Sequence, residues 1–458
     1  MAAANSRLMQ QLTILLSAMV GSAACAGPLE VPEQNDDGTD TSFIGSPTPV
    51  PLPNISSVAW ESCDMPTEAL SVPACVGGGC LDKVEIDTAI YPNAVCNDGS
   101  PGVMYIRPAP AGSADEDKWV VHLEGGAGAA GAGELLERWC GDRYYDASKM
   151  SSSWAPDQIN DLGISADRAD NNFSEWNQVF MYYCSSDQWT GRRRKPMIGY
   201  IGSHTTLPVD FSVEFRGHQI LVAAMRTLQA GGIFIGNDAL RDLDDATHLL
   251  LTGSSAGSGG VRTNGDRLRS QLRQTNPDLK MRLVLDSGVR PIEAWVNDLV
   301  YPGGVPPVVD PYVDMDDYIA QKLARDETWN APTDESCLEA HPSDPETCAS
   351  SDHLVFHHLT TPFFVRQDLD EQLPDDADPQ LWAEETHAHL LELDDLLTYA
   401  EDAADMTVTP GVFAPQVGTH TSLDSPRFFD ETISGLNFHD VLWNWLNGQP
   451  DTVVMETP

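Results

Sequence analysis

The stretch Leu249-Leu250-Leu251-Thr252-Gly253-Ser254-Ser255-Ala256-Gly257-Ser258-Gly259-Gly260 decides how this chain reads. An apolar, strand-like run enters a Gly-x-Ser-x-Gly turn, and a polar, Arg-rich pattern of helical period leaves it. That order describes a nucleophile elbow, a tight strand-to-helix turn that holds a serine, here Ser255, at strained angles above a sheet. Gly253 and Gly257 are required because the turn brings two backbones together where a Cβ would collide. The helix that follows aims its free N–H groups and positive dipole end at the place where an oxyanion would form.

Working outward, Lys118–Leu123 reads as a short buried strand followed by a Gly/Ala loop, 124–133. A second strand, Gln178–Tyr183, closes on Cys184-Ser185-Ser186-Asp187, and Gln219–Leu228 reads as a helix. The elbow strand spans 248–252 and its helix runs from Ala256 to about Arg273. Met281–Leu285 is the next strand, closing at Asp286-Ser287-Gly288, and Thr361–Val365 another, closing near Asp368 and Asp370. Strands alternating with helices, with polar and glycine residues at the strand ends, predict an α/β fold with a mostly parallel sheet. Ligands bind at the carboxyl ends of such strands. From Asp368 to Asp405 the chain is strongly acidic, and His389–Leu397 is expected to form an acidic helix over one end of the sheet, its charges on a solvated face. Val441–Leu446 belongs to a terminal helix, and the residues beyond read as a polar tail.

With 26 Lys and Arg against 69 Asp and Glu, the 458-residue chain carries a formal charge of −43. That balance excludes general nucleic-acid binding, which needs a positive footprint. It also disfavours polyanionic substrates and anionic membrane surfaces. Arg7, the apolar run Leu12–Val20 and the small residues up to Cys25 have the regions of an export signal, with a run too short to span a membrane. Cys25 is placed either as a lipoprotein-type anchor or near an ordinary cleavage point. The expected organisation is therefore an export signal over 1–25, a Pro/Asp-rich tether over 26–58 and a single domain over 59–458, secreted or held at the cell surface. Eight cysteines remain after Cys25, an even number that suits disulfides in an exported chain. Cys337 and Cys348 are expected to pair; the partners of the other six stay open. Only Cys75 and Cys80 have ligand-like spacing, so neither a metal nor an organic cofactor is expected.

A serine hydroxyl needs a base to take its proton, and the base needs a partner to fix its tautomer. In this kind of fold the chain order is serine, acid, histidine. His387, His389, His420 and His439 follow the acid candidates; His420, in a late loop after Val412-Phe413, is foremost, and His439 is second. For the acid, Asp370 leads over Asp368 and Asp286, all at strand ends. The oxyanion donors are expected to be the backbone N–H groups of Ala256, Gly126 and Ala127.

Several segments belong together: Leu123-Glu124-Gly125-Gly126, Tyr183-Cys184-Ser185-Ser186-Asp187 with Trp189 and Gly191, Phe215-Arg216-Gly217 and Gly253-Ser254-Ser255-Ala256-Gly257. Asp286-Ser287-Gly288, Asp370-Glu371-Gln372-Leu373 and Phe413-Ala414-Pro415 before His420 complete the set. Taken together they resemble the pectin acetylesterase family, in which Notum-type carboxylesterases are included. The resemblance implies an α/β-hydrolase-like fold and a serine esterase with Ser255 as nucleophile, Asp370 as acid and His420 as base. It further implies a short O-acyl group, such as acetyl on a polysaccharide, as substrate. Removal of a fatty acyl group from lipid or protein is the alternative within enzymes, and a surface binding protein without catalysis the alternative outside them. The chain departs from the family after Leu-Glu-Gly-Gly, where Ala127-Gly128-Ala129-Ala130-Gly131 replaces the usual nearby Trp or Cys, and Gln416–Thr419 lacks a cysteine.

Overall fold

A computed structural model describes residues 52–57, 75, 79–140, 147–199, 209–289, 315–371, 378–396, 398–399 and 407–458. The export signal, Cys25 and most of the tether lie outside the described residues.

Ten strands form the main sheet. They are β1 (Leu81–Glu85), β2 (Val103–Arg107), β3 (Lys118–Leu123), β4 (Gln158–Ile159) and β5 (Asn177–Met181), then β6 (His248–Ser254), β7 (Lys280–Asp286), β8 (Phe363–Arg366), β9 (Gly411–Ala414) and β10 (Val453–Met455). Their order is β10-β9-β8-β7-β6-β3-β5-β2-β1-β4. From β10 to β5 neighbours run parallel; β2, β1 and β4 add an antiparallel margin. The main helices are α1 (Ala132–Trp139), α2 (Gly217–Ala230), α3 (Ala256–Leu272), α4 (Met315–Trp329), α5 (Glu335–Ala340), α6 (Ser351–His357), α7 (Pro379–Leu391) and α8 (Phe438–Leu446).

The central strands are continuous apolar runs because both of their faces are covered. Leu249, Leu251, Leu283, Leu285, Phe363 and Val365 face one core shared with Ile220, Leu221, Val261 and Leu268 of α2 and α3. Leu250, Val284, Phe364 and Phe413 face the opposite core with Phe438, Val441, Leu442 and Trp445 of α8. This is the α/β-hydrolase-like architecture expected from the alternation of strands and helices. Register pins the site: Ser254 pairs with Asp286, and Asp286 with Arg366, so three strand ends meet at one edge.

Three sequence expectations shift. The acidic helix begins ahead of His389, at Pro379, because Asp378 caps it through Gln380 N (3.0 Å) and Leu381 N (3.2 Å). One face of it is packed, with Trp382, Ala383 and Leu390 buried. The polar tail returns to the sheet as β10, where Val453 pairs with Val412; its three apolar residues are too few to announce a strand. Within the span assigned to the tether, Leu52–Ser57 instead pack on the body, with Ile55 fully buried and Ser212 N bonded to Pro53 O at 2.8 Å.

Cys337 pairs with Cys348 as expected, and Cys75–Cys80 and Cys96–Cys184 are also bonded. Among the described residues no helix is long and apolar enough to cross a membrane.

Candidate active site

Strand β6 turns directly into α3 at Ser255, which sits at φ 56° and ψ −115°. Such a conformation costs on the order of 1–3 kcal/mol and persists only where the surroundings enforce it. Here they do. A Cβ on Gly253 would come within 2.3 Å of the Gly257 backbone, and one on Gly257 within 1.9 Å of Leu123 O. Ser255 N is tied to Asp286 O at 2.9 Å.

Over this turn stands His420. Its Nε2 lies 2.8 Å from Ser255 Oγ, and its Nδ1 lies 2.7 Å from Glu371 Oε1. Glu371 is 2% exposed and also accepts from Ser287 Oγ (2.5 Å) and Gln367 Nε2 (2.7 Å). A carboxylate can only accept, so Nδ1 carries the proton and Nε2 is left to accept from the serine hydroxyl. The three groups form a continuous serine–imidazole–carboxylate relay.

The carboxylate in this relay is therefore not that of Asp370. The chain turns after β8, with Glu371 N bonded to Asp368 O (3.3 Å) and Asp370 N to Asp368 Oδ1 (2.9 Å). That turn points Asp370 at Gln416 Nε2 (3.2 Å) and brings the next side chain, Glu371, onto His420. The other two acid candidates position the histidine loop. Asp368 accepts from the backbone N–H of Val417, Gly418 and Thr419 at 2.9 to 3.3 Å. Asp286 accepts from Ser422 N (2.9 Å) and Leu423 N (2.8 Å), gripping the loop on the far side of His420. Burial raises the Asp286 carboxyl to about 6, against the opposing pull of Arg366 and those two N–H groups.

Arg366, fully buried, closes the network by donating to Thr419 O (3.1 Å), His420 O (3.0 Å) and Glu431 Oε2 (3.0 Å). A buried guanidinium held by so many acceptors fixes the loop backbone at the histidine itself. Among the other histidines, His439 accepts from Asn172 N at 3.1 Å and packs against Phe173, Phe428 and Phe429, a structural position. His387 and His389 lie on α7, and burial lowers His389 to about 4.

On the opposite side of Ser255 lies the loop after β3. A Cβ on Gly125 would meet Ser254 O at 2.7 Å, so loop and elbow are in contact. Gly126 and Ala127 adopt φ 143° and 55°. The Gly126 carbonyl accepts from Arg138 Nη2 (2.6 Å) and that of Ala127 from Tyr183 OH (2.8 Å). Across a trans peptide the Ala127 N–H points opposite to the Gly126 carbonyl, away from Arg138. Ala256 opens α3, where N–H groups lack intrahelical partners. Glu124 supports the loop: it pairs with Lys149 and accepts from Tyr183 N at 2.8 Å.

Beyond Glu371, sequence reasoning did not identify Gln367, Ser287, Arg366, Arg138 or Tyr183 as parts of the site. The one available signal was the carboxylate beside Asp370, within the same Asp370-Glu371-Gln372 segment. Potential metal ligands gathered among the described residues do not include Ser255, His420 or Glu371.

Residues 80–300 match the family model described as Pectinacetylesterase. Palmitoleoyl-protein carboxylesterase notum2 of Xenopus laevis is 26% identical over 360 residues, covering 76% of this chain and 64% of the relative. The Drosophila melanogaster palmitoleoyl-protein carboxylesterase NOTUM is 29% identical over 282 residues, 59% of this chain and 35% of the relative. Its Homo sapiens counterpart is 30% identical over 225 residues, 48% and 39%. The chain thus spans from about a third to just under two thirds of the length of these relatives. A solved structure of the Wnt deacylase Notum from Drosophila superposes with a TM-score of 0.61 at 23% identity, covering 82% of this chain and 97% of that one. At that identity the likeness shows the fold.

Proposed function

We propose that this chain, whose residues 80–300 match the pectinacetylesterase model, is a serine carboxylesterase of that family that removes a short O-acyl group, acetyl foremost, from a glycan. The observation that carries the reading is the relay Ser255–His420–Glu371, with links of 2.8 and 2.7 Å on a strained elbow.

Ser255 Oγ attacks the ester carbonyl as His420 Nε2 takes its proton, and Glu371 holds the Nδ1–H and stabilises the imidazolium. The oxyanion is met by the N–H groups of Ala256 and Ala127, with Gly126 as a further donor. His420 then protonates the leaving alcohol, and water repeats the sequence on the acyl-enzyme to release the acid. The charge of −43 favours a neutral acylated glycan over heavily de-esterified pectin, which like charge would repel. The paired cysteines and the N-terminal signal favour action outside the cytoplasm, with Cys25 as the point of any membrane tether.

A second reading is favoured by the palmitoleoyl-protein carboxylesterases among the relatives: removal of a fatty acyl group from a protein. One experiment separates the two. p-Nitrophenyl esters from acetate to palmitate are hydrolysed with wild type and Ser255→Ala. The expected result is the highest kcat/KM on acetate or butyrate, falling by about 10⁴-fold or more in the variant. An optimum at long chains transfers the assignment to the fatty-acyl reading. Equal rates for the two proteins overturn the esterase assignment.

A further inference from the structure

Outside the esterase site, His341, His353 and His358 converge beside Cys337, with one potential ligand atom from each residue within 4.8 Å of the others. His341 follows α5, His353 lies within α6, and His358 follows α6. The Cys337–Cys348 disulfide staples the segment that joins the two helices, so the histidines stand on a braced frame.

One pair of ring nitrogens has the separation of two ligands on one ion. His341 Nε2 and His353 Nε2 are 3.2 Å apart. Two nitrogens at about 2.0–2.1 Å from one tetrahedral ion are separated by roughly 3.4 Å. His358 Nδ1 is held by Ser336 Oγ at 3.0 Å, while its Nε2 is buried without a partner. Fixing one ring nitrogen and leaving the other free is how a metal-binding imidazole is oriented. A buried polar atom with no partner also calls for an explanation, and a cation supplies it.

Cys337 is in a disulfide and offers no thiolate, so the donor set is three imidazoles, with the fourth position left to water. Imidazole donors suit zinc and its neighbours rather than calcium or magnesium. We infer that His341, His353 and His358 form a binding site for one divalent transition-metal ion, Zn²⁺ foremost, separate from the residues of ester hydrolysis. None of the cysteine spacings in the sequence points to this site; it arises where His341 after α5 meets His353 of α6 and Ser336 of α5 holds His358 after α6.

The test is titration of the EDTA-treated, dialysed full chain with Zn²⁺ by calorimetry, in parallel with His341→Gln and His358→Gln. Hydrolysis of p-nitrophenyl acetate reports that each protein is folded. Wild type is expected to bind one equivalent, with an affinity about tenfold or more weaker in each variant and esterase activity unchanged. Co²⁺ added to wild type provides a readout independent of the variants: intense visible bands of a four-coordinate site are expected. Absence of saturable one-equivalent binding in wild type overturns the inference, as does equal affinity in the folded variants. Failure of this test leaves the relay at Ser255 untouched.

Discussion

Replacing Glu371 by Gln keeps the shape of the side chain and removes its charge, which isolates what the carboxylate does for His420. In the folded chain both oxygens of Glu371 accept: Oε1 from His420 Nδ1 (2.7 Å) and Ser287 Oγ (2.5 Å), Oε2 from Gln367 Nε2 (2.7 Å). Glutamine has one accepting oxygen, so its amide NH₂ must face a group that donates now. If it faces His420, Nδ1 becomes the acceptor and the proton moves to Nε2, where it blocks removal of the serine proton. The same exchange of acid for amide in a serine protease, a worked case of the general principle, lowers kcat about 10⁴-fold. For Glu371→Gln a fall in kcat of about 10³–10⁴, or roughly 4–5 kcal/mol of barrier, is expected with KM nearly unchanged, because the acid touches no substrate. Asp370→Asn removes only the charge from a contact with Gln416 at 3.2 Å and should change kcat by about threefold or less. Initial rates on p-nitrophenyl acetate at pH 8, with melting curves to verify folding, give the comparison. If Asp370→Asn proves the crippling change and Glu371→Gln retains near-normal kcat, the relay drawn here is wrong.

Gly257→Ala tests the elbow: its Cβ would lie 1.9 Å from Leu123 O, a backbone atom that cannot retreat, so soluble expression should collapse or the melting temperature fall sharply. A variant that melts like wild type would refute that packing. Asp286→Asn tests the buried acid that anchors the histidine loop. Burial raises its folded pKa to about 6, above the ordinary carboxyl value of 3.8, so its stability contribution is present below about pH 4 and is lost as pH rises through 6. Asn does not titrate; the unfolding free energy of wild type relative to the variant should therefore fall by about 2 kcal/mol between pH 4 and pH 7. Urea melts across that range check it, and a difference that grows with pH would show that the donors around Asp286 outweigh its burial.

The elbow was legible in the sequence because it is local. A run of leucines, two glycines four residues apart and the serine between them specify strand, turn and helix within a dozen residues, and the steric demand on Gly253 and Gly257 is met there. The parallel sheet was legible for a related reason, since strands covered on both faces must be continuously apolar, as Leu249–Leu251 and Leu283–Leu285 are. His420 could be placed by chain order and loop position. The acid could not, because Asp286 ends one strand, Asp368, Asp370 and Glu371 follow another, and all share one chemistry. Which of them meets the imidazole depends on how the turn after β8 is wound. Asp368 uses its oxygens on the backbone of that turn and of the histidine loop, so the contact passes to Glu371. The histidines of α5 and α6 tell the same story: His353 and His358 have a common ligand spacing, but His341 joins them only through a disulfide-braced fold. Local sterics and hydrophobic period are written in consecutive residues, whereas the partner of a side chain is chosen by distance and direction in space, which only the packed chain defines.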